Sequence, residues 1–472
     1  MENPPARSQV TDKEFAQIRV FSRDKLMHFT FHMRAASTFT SVFLFFGISL
    51  QAADPSKLFD VRQFGAKGDS ETIDTAAIQQ ALDACGRADG GTVWFRPGIY
   101  LSQPLTLRTK TTVRLDPGAI LKATDEPKDF LPAGVPWSDI LNGSKKGPLA
   151  AFISGKDLTD ITICGGGTID GSGAKWWLPA EAARRKVPGY TLPRPNLIVL
   201  ERCKRVGLEN ISLQNSPKFH FVPTACEDVI ISNVTVTAPE HAANTDAIDP
   251  SSCRDVLITR CTIDVGDDNV AIKAGKKVAG REVASENITV TDCAFRHGHG
   301  MSIGSETDGG VRNVTVKNCT FENTENGIRI KSQVGKGGVV ENISYSDLTM
   351  KNVDPAITFT CYYMNNSAKD TAPASVPREN RAPAVEGKIP LYHDIRVTNL
   401  TATCERSAGV ILGLPESCIS NVVFENVVLS ANTGLTIHNA RGIQFKNSSV
   451  TVESGPAFTA ENAQIEGLKT RN

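Results

Sequence analysis

Five stretches of this chain read alike: DVIISNVTV (228–236), DVLITRCTI (255–263), NITVTDCAF (287–295), NVTVKNCTF (313–321) and NISYSDLTM (342–350). The same nine-residue frame starts again at Asp160, Arg205, Asp394, Asn421 and Gly442. Its second, fourth, seventh and ninth places are apolar, and Asn or Asp often stands at the sixth. Alternation, a polar turn and a second alternation describe two short strands joined at a corner. Starts lie mostly 21 to 32 residues apart, with longer gaps at 160–205 and 342–394. Such a unit cannot bury its apolar side alone, so copies must stack into a solenoid. Without intervening helices, the period predicts an all-β fold: a right-handed parallel β-helix. Leucine-rich repeats share the period but need a leucine-dominated frame, which is missing.

Working outward, residues 59–100 read as a cap. Asp74 is placed to N-cap a helix running to about Cys85, with Ile78 and Leu82 on one side covering the open first coil. Stretches 171–195 and 364–390 break the rhythm and are rich in Pro, Ala and charge; they read as surface loops, candidate walls of a cleft. Residues 37–50, STFTSVFLFFGISL, follow Arg34 and precede Gln51-Ala52-Ala53. A basic flank, a short apolar run and small residues describe a secretory signal cleaved near Ala52, with Met27 or Met33 as alternative starts. The chain thus divides into an N-terminal extension with signal peptide, 1–52, and one β-helix catalytic domain, 53–472. The expected location is secreted or periplasmic, without stable membrane association after processing.

The 51 basic and 51 acidic side chains of the 472 residues cancel, so no global field draws the chain to nucleic acid or an anionic membrane. Any polyanionic ligand must be held by local cations. Of the 11 cysteines, Cys261, Cys293 and Cys319 fall at the seventh place, and Cys203, Cys226 and Cys253 each lie two residues before a frame start. They read as buried thiols stacked coil on coil. Neighbouring coils also bring Cα atoms within reach of a bridge, so Cys203–Cys226 or Cys226–Cys253 stays open.

A third strand follows the central frames. NTDAID from Asn244, DNVAIK from Asp268, HGMSIG from His299 and NGIRIK from Asn326 align without gaps, with Ile248, Ile272, Ile303 and Ile330 inward. Alternation then turns Arg329 and Lys331 outward. Stacking gathers Asn244, Asp246, Asp267, Asp268, His299, Arg329 and Lys331 on one outer face. Taken singly, each has a plain reading: Gly266-Asp267-Asp268 as a turn, His299 as a surface histidine, Arg329 and Lys331 as solvated cations. Their shared phase is what points to chemistry. One carboxyl can donate a proton to a leaving oxygen while another activates water, and crowded like charges separate the two roles. An Arg and a Lys two apart can clamp a substrate carboxylate.

Asn244-Thr245-Asp246, Asp267-Asp268, Gly298-His299-Gly300 and Arg329-Ile330-Lys331 resemble, in order and spacing, the four motifs of the polygalacturonase family of glycoside hydrolases (family 28). The resemblance runs from about Phe59 to the C-terminus. It implies an inverting hydrolase of α-1,4-galacturonan with no metal and no cofactor, acting on a pectic polysaccharide or oligogalacturonide, and a monomer. Asp267 is then the general acid, Asp246 and Asp268 hold and activate water, and His299 supports the acid. Arg329 and Lys331 bind the galacturonate carboxylate, and a tyrosine, Tyr362 or Tyr363, lines the cleft. Rhamnogalacturonan-cleaving relatives tend to lack the Arg-Ile-Lys clamp, which favours galacturonate here. A Ca²⁺-dependent pectate lyase on the same scaffold and a non-catalytic polysaccharide-binding β-helix are the rival readings. Endo or exo action is left open.

Overall fold

The computed structural model describes residues 57–132, 134–141, 149–186, 192–275, 277–278, 280–363 and 388–467. The signal segment, most of 364–390 and residues 187–191 lie outside them. Among the described residues no helix is long and apolar enough to cross a membrane.

The frames stack in parallel as the repeat predicts, forming a right-handed parallel β-helix. Val229 pairs with Val256, Val256 with Ile288, Ile288 with Val314 and Val314 with Ile343. Each of these residues is at most 2% exposed, so the second place of the frame builds one continuous apolar column. The seventh place builds another: Cys319 pairs with Leu348, Leu348 with Leu400 and Leu400 with Val427. At the ninth place Phe295 and Phe321 meet edge-on with centroids 4.9 Å apart. Stacking equivalent residues makes the core a set of ladders rather than one central knot. The cysteines join these ladders as free thiols; the Cys203 and Cys226 amides each point at the Sγ of the next coil's cysteine, 3.4 Å away.

The polar places of the frame have a backbone cause. First-place Asp255, Asn287, Asn313 and Asn342 all take φ between 53° and 58°, and sixth-place Asn233, Asp292, Asn318 and Asp347 take 51° to 57°. Asn and Asp tolerate this left-handed region better than other residues bearing a side chain. Their amides also stack: Asn287 donates to Asp255 at 2.8 Å, Asn313 to Asn287 at 3.0 Å and Asn342 to Asn313 at 2.7 Å. Asn313→Ala removes both the tolerance and the ladder. It should lower stability by about 1–2 kcal/mol in urea unfolding, while Asn313→Gly recovers part of the loss. Equal stability of both variants to the parent would contradict this account.

Helix α1 (Thr75–Arg87) buries Ile78, Ala81, Leu82 and Cys85 against the first coils, strands Leu58–Asp60 and Gly91–Phe95, as a cap should. Asp74 does not cap it through its side chain. Its carboxylate instead accepts from the amides of Lys67 (2.7 Å) and Gly68 (2.9 Å), pinning the preceding loop. Two short helices follow, α2 (Trp137–Leu141) and α3 (Ala174–Lys186). The stretch 171–195, expected as loop, is thus partly helical. Trp176 of α3 is buried edge-on between Phe130 and Trp137, and Trp177 donates to the Ser216 carbonyl at 3.0 Å. These two tryptophans give the segment a small core that its charge-rich remainder concealed.

Candidate active site

The third strands set the site. Val270–Ile272, Met301–Gly304, Ile328–Lys331 and Ile357–Thr360 stack in register, with Val270 beside Met301, Met301 beside Ile328 and Ile328 beside Ile357. The register of the first segment differs from the gap-free alignment. Ile248 bridges to Phe221 and Val270, not Ile272, a slip of two residues. A two-residue slip keeps the side-chain alternation, so the sequence pattern could not detect it. Its consequence is chemical. Asp246, Asp268, His299 and Asn326 each stand two residues before those paired positions and form one column. Thr245, Asp267, Gly298 and Glu325 form the column beside it.

Glycines make the close stacking possible. A Cβ on Gly298 would lie 2.5 Å from the Asp267 carbonyl oxygen, and one on Gly300 would lie 2.1 Å from that of Asn326. Both have positive φ, 117° and 67°. Only glycine fits on either side of His299, and the imidazole is held over the carboxylates.

Asp267 is the most accessible of the three acids, its side chain 16% exposed against 5% for Asp246 and 3% for Asp268. Its Oδ1 meets His299 Nδ1 at 3.1 Å and accepts from the Asp268 amide at 2.8 Å. Its Oδ2 accepts from the Asn244 amide at 3.2 Å and the Asn244 side chain at 3.3 Å. Burial acts to raise its pKa, but the His299 charge and bond, then Lys331, outweigh burial and hold Asp267 well below the usual carboxylate range. His299 Nε2 lies 3.0 Å from the Glu325 carboxylate. Burial disfavours the imidazolium, yet Asp267 and Glu325 outweigh it and push the His299 pKa up to about 10. The proton of this pair therefore sits on the imidazole.

Asp268 is enclosed. Arg329 Nη2 and the Ser302 hydroxyl donate to its Oδ1, the latter at 2.8 Å, and Lys331 donates to Oδ2 at 2.8 Å. Lys331 and Arg329 overcome the penalty of burial and keep Asp268 ionised. The Arg and Lys expected to wait free for a substrate carboxylate thus rest on one supplied by the protein. Tyr363 lays its ring over Lys331 Nζ at 5.0 Å, whereas Tyr362 packs against the core.

Asp246 sits otherwise. Burial, then the charges of Asp249 and Asp267, raise its pKa well above the carboxylate range. Lys273 Nζ donates to Asp246 Oδ2 at 3.2 Å and also to Asp249 Oδ2. Asp249, 1% exposed, is pushed up to about 6 chiefly by burial. Sequence reading missed Asp249, Arg194 and Glu325. Arg194, from the irregular 171–195 stretch, donates to the carbonyls of Pro217 and Ala243 and to Asn244 Oδ1 at 2.7 Å, which orients Asn244 toward Asp267. Asp249 stands three residues after Asp246 in NTDAID, and in the corrected register it shares a column with Arg329. That placement is a signal a better alignment could have used.

Oxygens and nitrogens of Asp267, Asp268 and His299 approach within 4.8 Å of one another, a spacing compatible with a cation. Each of these groups is already engaged by the protein: the two ring nitrogens of His299 face Asp267 and Glu325, and Asp268 accepts from Arg329 and Lys331.

His299 yields a stability prediction. Its folded pKa, about 10, exceeds the ordinary 6.5, so its contribution is complete below pH 6.5 and is lost as pH rises through 10. The stability difference between the parent and His299→Gln, read from denaturant midpoints, should shrink over that window. A difference constant with pH would remove the imidazolium from this account.

Comparison with known proteins agrees with the geometry. The profile described as "Glycosyl hydrolases family 28" matches residues 105–450, and one described as "Rhamnogalacturonase A/epimerase, pectate lyase-like" matches 58–130. An endo-polygalacturonase of Pectobacterium carotovorum subsp. carotovorum is 40% identical over 388 residues, covering 79% of this chain and 88% of the relative. The solved polygalacturonase of Erwinia carotovora ssp. carotovora is 31% identical with a TM-score of 0.64, over 84% of this chain and 94% of that one. A Thermotoga maritima exopolygalacturonase is 26% identical with a TM-score of 0.66, over 87% and 92%. The Streptococcus pneumoniae adhesin PfbA, 14% identical with a TM-score of 0.56, shares the fold alone. With an acid cluster on the outer face of a β-helix and a family match that spans most of the coils, the chain belongs to the glycosyl hydrolases of family 28.

Proposed function

We propose that this glycosidase hydrolyses α-1,4-galacturonosyl linkages of polygalacturonan, the pectin backbone, by inverting acid–base catalysis. The observation that carries the reading is the pairing of Asp267 with His299 at 3.1 Å beside a second acid, Asp246, held separately by Lys273. Asp267 and His299 hold one transferable proton between them. A bound uronate adds negative charge, draws Arg329 and Lys331 toward itself and loosens their hold on Asp268. Both effects raise the proton affinity of Asp267, which takes the proton from His299 and passes it to the glycosidic oxygen. Asp246 and Asp268 hold the attacking water, and the one that is ionised accepts its proton. Because the acids titrate as a coupled group, their apparent pKa values belong to the cluster.

Relatives named as polygalacturonases support this substrate, as does the cationic Arg329–Lys331 pair under Tyr363. We also read residues 37–50 as an export signal, which places the mature enzyme where pectin is met. The test is to incubate purified enzyme with polygalacturonate in EDTA and follow both reducing ends and the ultraviolet absorbance of unsaturated uronides. Hydrolysis gives reducing ends without that absorbance. Absorbance that disappears with EDTA would instead make it a lyase. Proton NMR of the first product reads the anomer, and a retained configuration would overturn inversion.

A further inference from the structure

Lys218 is a cation that the scheme above leaves unused. It stands three residues before Phe221, as Thr245 stands before Ile248 and Asp267 before Val270. Since Phe221, Ile248 and Val270 are bridged in succession, Lys218 heads the column of Thr245 and Asp267. Two coil spacings, about 10 Å, separate it from Asp267 along the helix axis. Arg329 and Lys331 lie on the opposite, C-terminal side of the acids. The cluster is thus flanked by cations at both ends.

The surroundings of Lys218 suit an anion that the protein does not itself supply. The side chain is part-buried, with Nζ 4.4 Å from the centroid of the Phe219 ring. The same ring takes Lys273 Nζ at 4.4 Å. Two ammonium groups on one aromatic ring repel each other, and Lys273 is already committed to Asp246 and Asp249. Among the described residues, no carboxylate makes an ion pair with Lys218. Burial, aided by Arg194 and Lys273, holds its pKa below the usual lysine range, although Asp246 and Asp249 act in the other direction. A part-desolvated ammonium without a bonded carboxylate gains more from an arriving anion than a solvated one does.

We propose that Lys218 binds the carboxylate of a second uronate, about two sugar rings toward the N-terminal end of the cleft from the cleaved bond, and so selects substrates that remain unesterified there. This rests on the galacturonan reading. A single carboxylate at the Arg329–Lys331 clamp fixes one ring; a second contact on the far side fixes the direction and register of the chain.

The experiment compares the parent, Lys218→Gln and Lys218→Arg on polygalacturonate and on oligogalacturonides of defined length. Cleavage by the parent first establishes the reading itself; if the parent fails to cleave, that reading falls before Lys218 is judged. With an active parent, Lys218→Gln should raise KM about tenfold, the scale of one charge-assisted contact, on chains long enough to reach both ends. The effect should fade on the shortest cleaved oligomers, and Lys218→Arg should restore most of the binding. In an Asp267→Asn background, titration with an oligogalacturonide should show the same loss in Kd without turnover. An unchanged KM and Kd at every length would overturn the proposal. So would a loss independent of chain length with a displaced pH profile, because Lys218 would then act by tuning Asp246 electrostatically.

Discussion

Asp267→Asn should lower kcat by at least ~100-fold, the usual scale of general acid catalysis, with the coil left intact. The amide is close in shape, and its carbonyl can still accept a backbone or Asn244 proton. It cannot carry a proton to a glycosidic oxygen, and it no longer holds His299 as an imidazolium. The same variant therefore has a second readout. Without the neighbouring carboxylate, the His299 pKa should fall from about 10 toward 6.5, visible in the proton NMR of its ring. Loss of activity accompanied by that fall supports the paired-proton description. Near-parental kcat would refute the assignment of the acid, whatever the histidine does.

Arg329→Ala should be costly in two ways. Arg329 is 4% exposed and lies against Asp268, itself 2% exposed, with its Nε also donating to the Ser302 hydroxyl at 3.0 Å. Removing one member of a buried pair leaves the other charge uncompensated, a loss of about 3–5 kcal/mol. Lys331 remains on the other oxygen of Asp268, which points to the lower end of that range. Productive binding of a uronate should weaken as well, so kcat/KM on polygalacturonate falls together with the urea midpoint. Adding Asp268→Asn to Arg329→Ala should not restore stability, because the buried Lys331 ammonium then loses its own carboxylate, and activity stays low. If Arg329→Ala keeps both its midpoint and its KM, neither the ion pair nor the clamp matters as described.

These effects explain why Arg329 and Lys331 were only half legible in the sequence. Their phase on the third strand showed that they face outward, and this placed them with the acids. That they would rest on Asp268 depends on side-chain reach, because the register of their strands is the one the gap-free alignment gives; what that alignment missed is the two-residue slip at Ile248, which puts Asp246 in the column of Asp268. The strand pattern repeats every two residues and is blind to a slip of that size. Arg194 and Glu325 were hidden for another reason. Each acts through one contact, with Asn244 and with His299, and neither contact leaves a trace in spacing along the chain.

Much was determined by the sequence alone. The nine-residue frame required coils, because its apolar places can be buried only by another copy of itself. Its Asn and Asp places are corners whose left-handed backbone and stacked amides suit those side chains. The motif order put the acids on neighbouring coils, and glycines around His299 allowed the close approach. The tertiary structure decided how charge is distributed: a proton on His299 rather than Asp267, Asp268 neutralised twice, Asp246 raised by burial and by Asp249, and Lys218 left for an anion from outside. Periodicity is local and repeats along the chain, so it can be read there. Proton affinity is the sum of burial and every nearby charge, and those neighbours are set only when the coils have stacked.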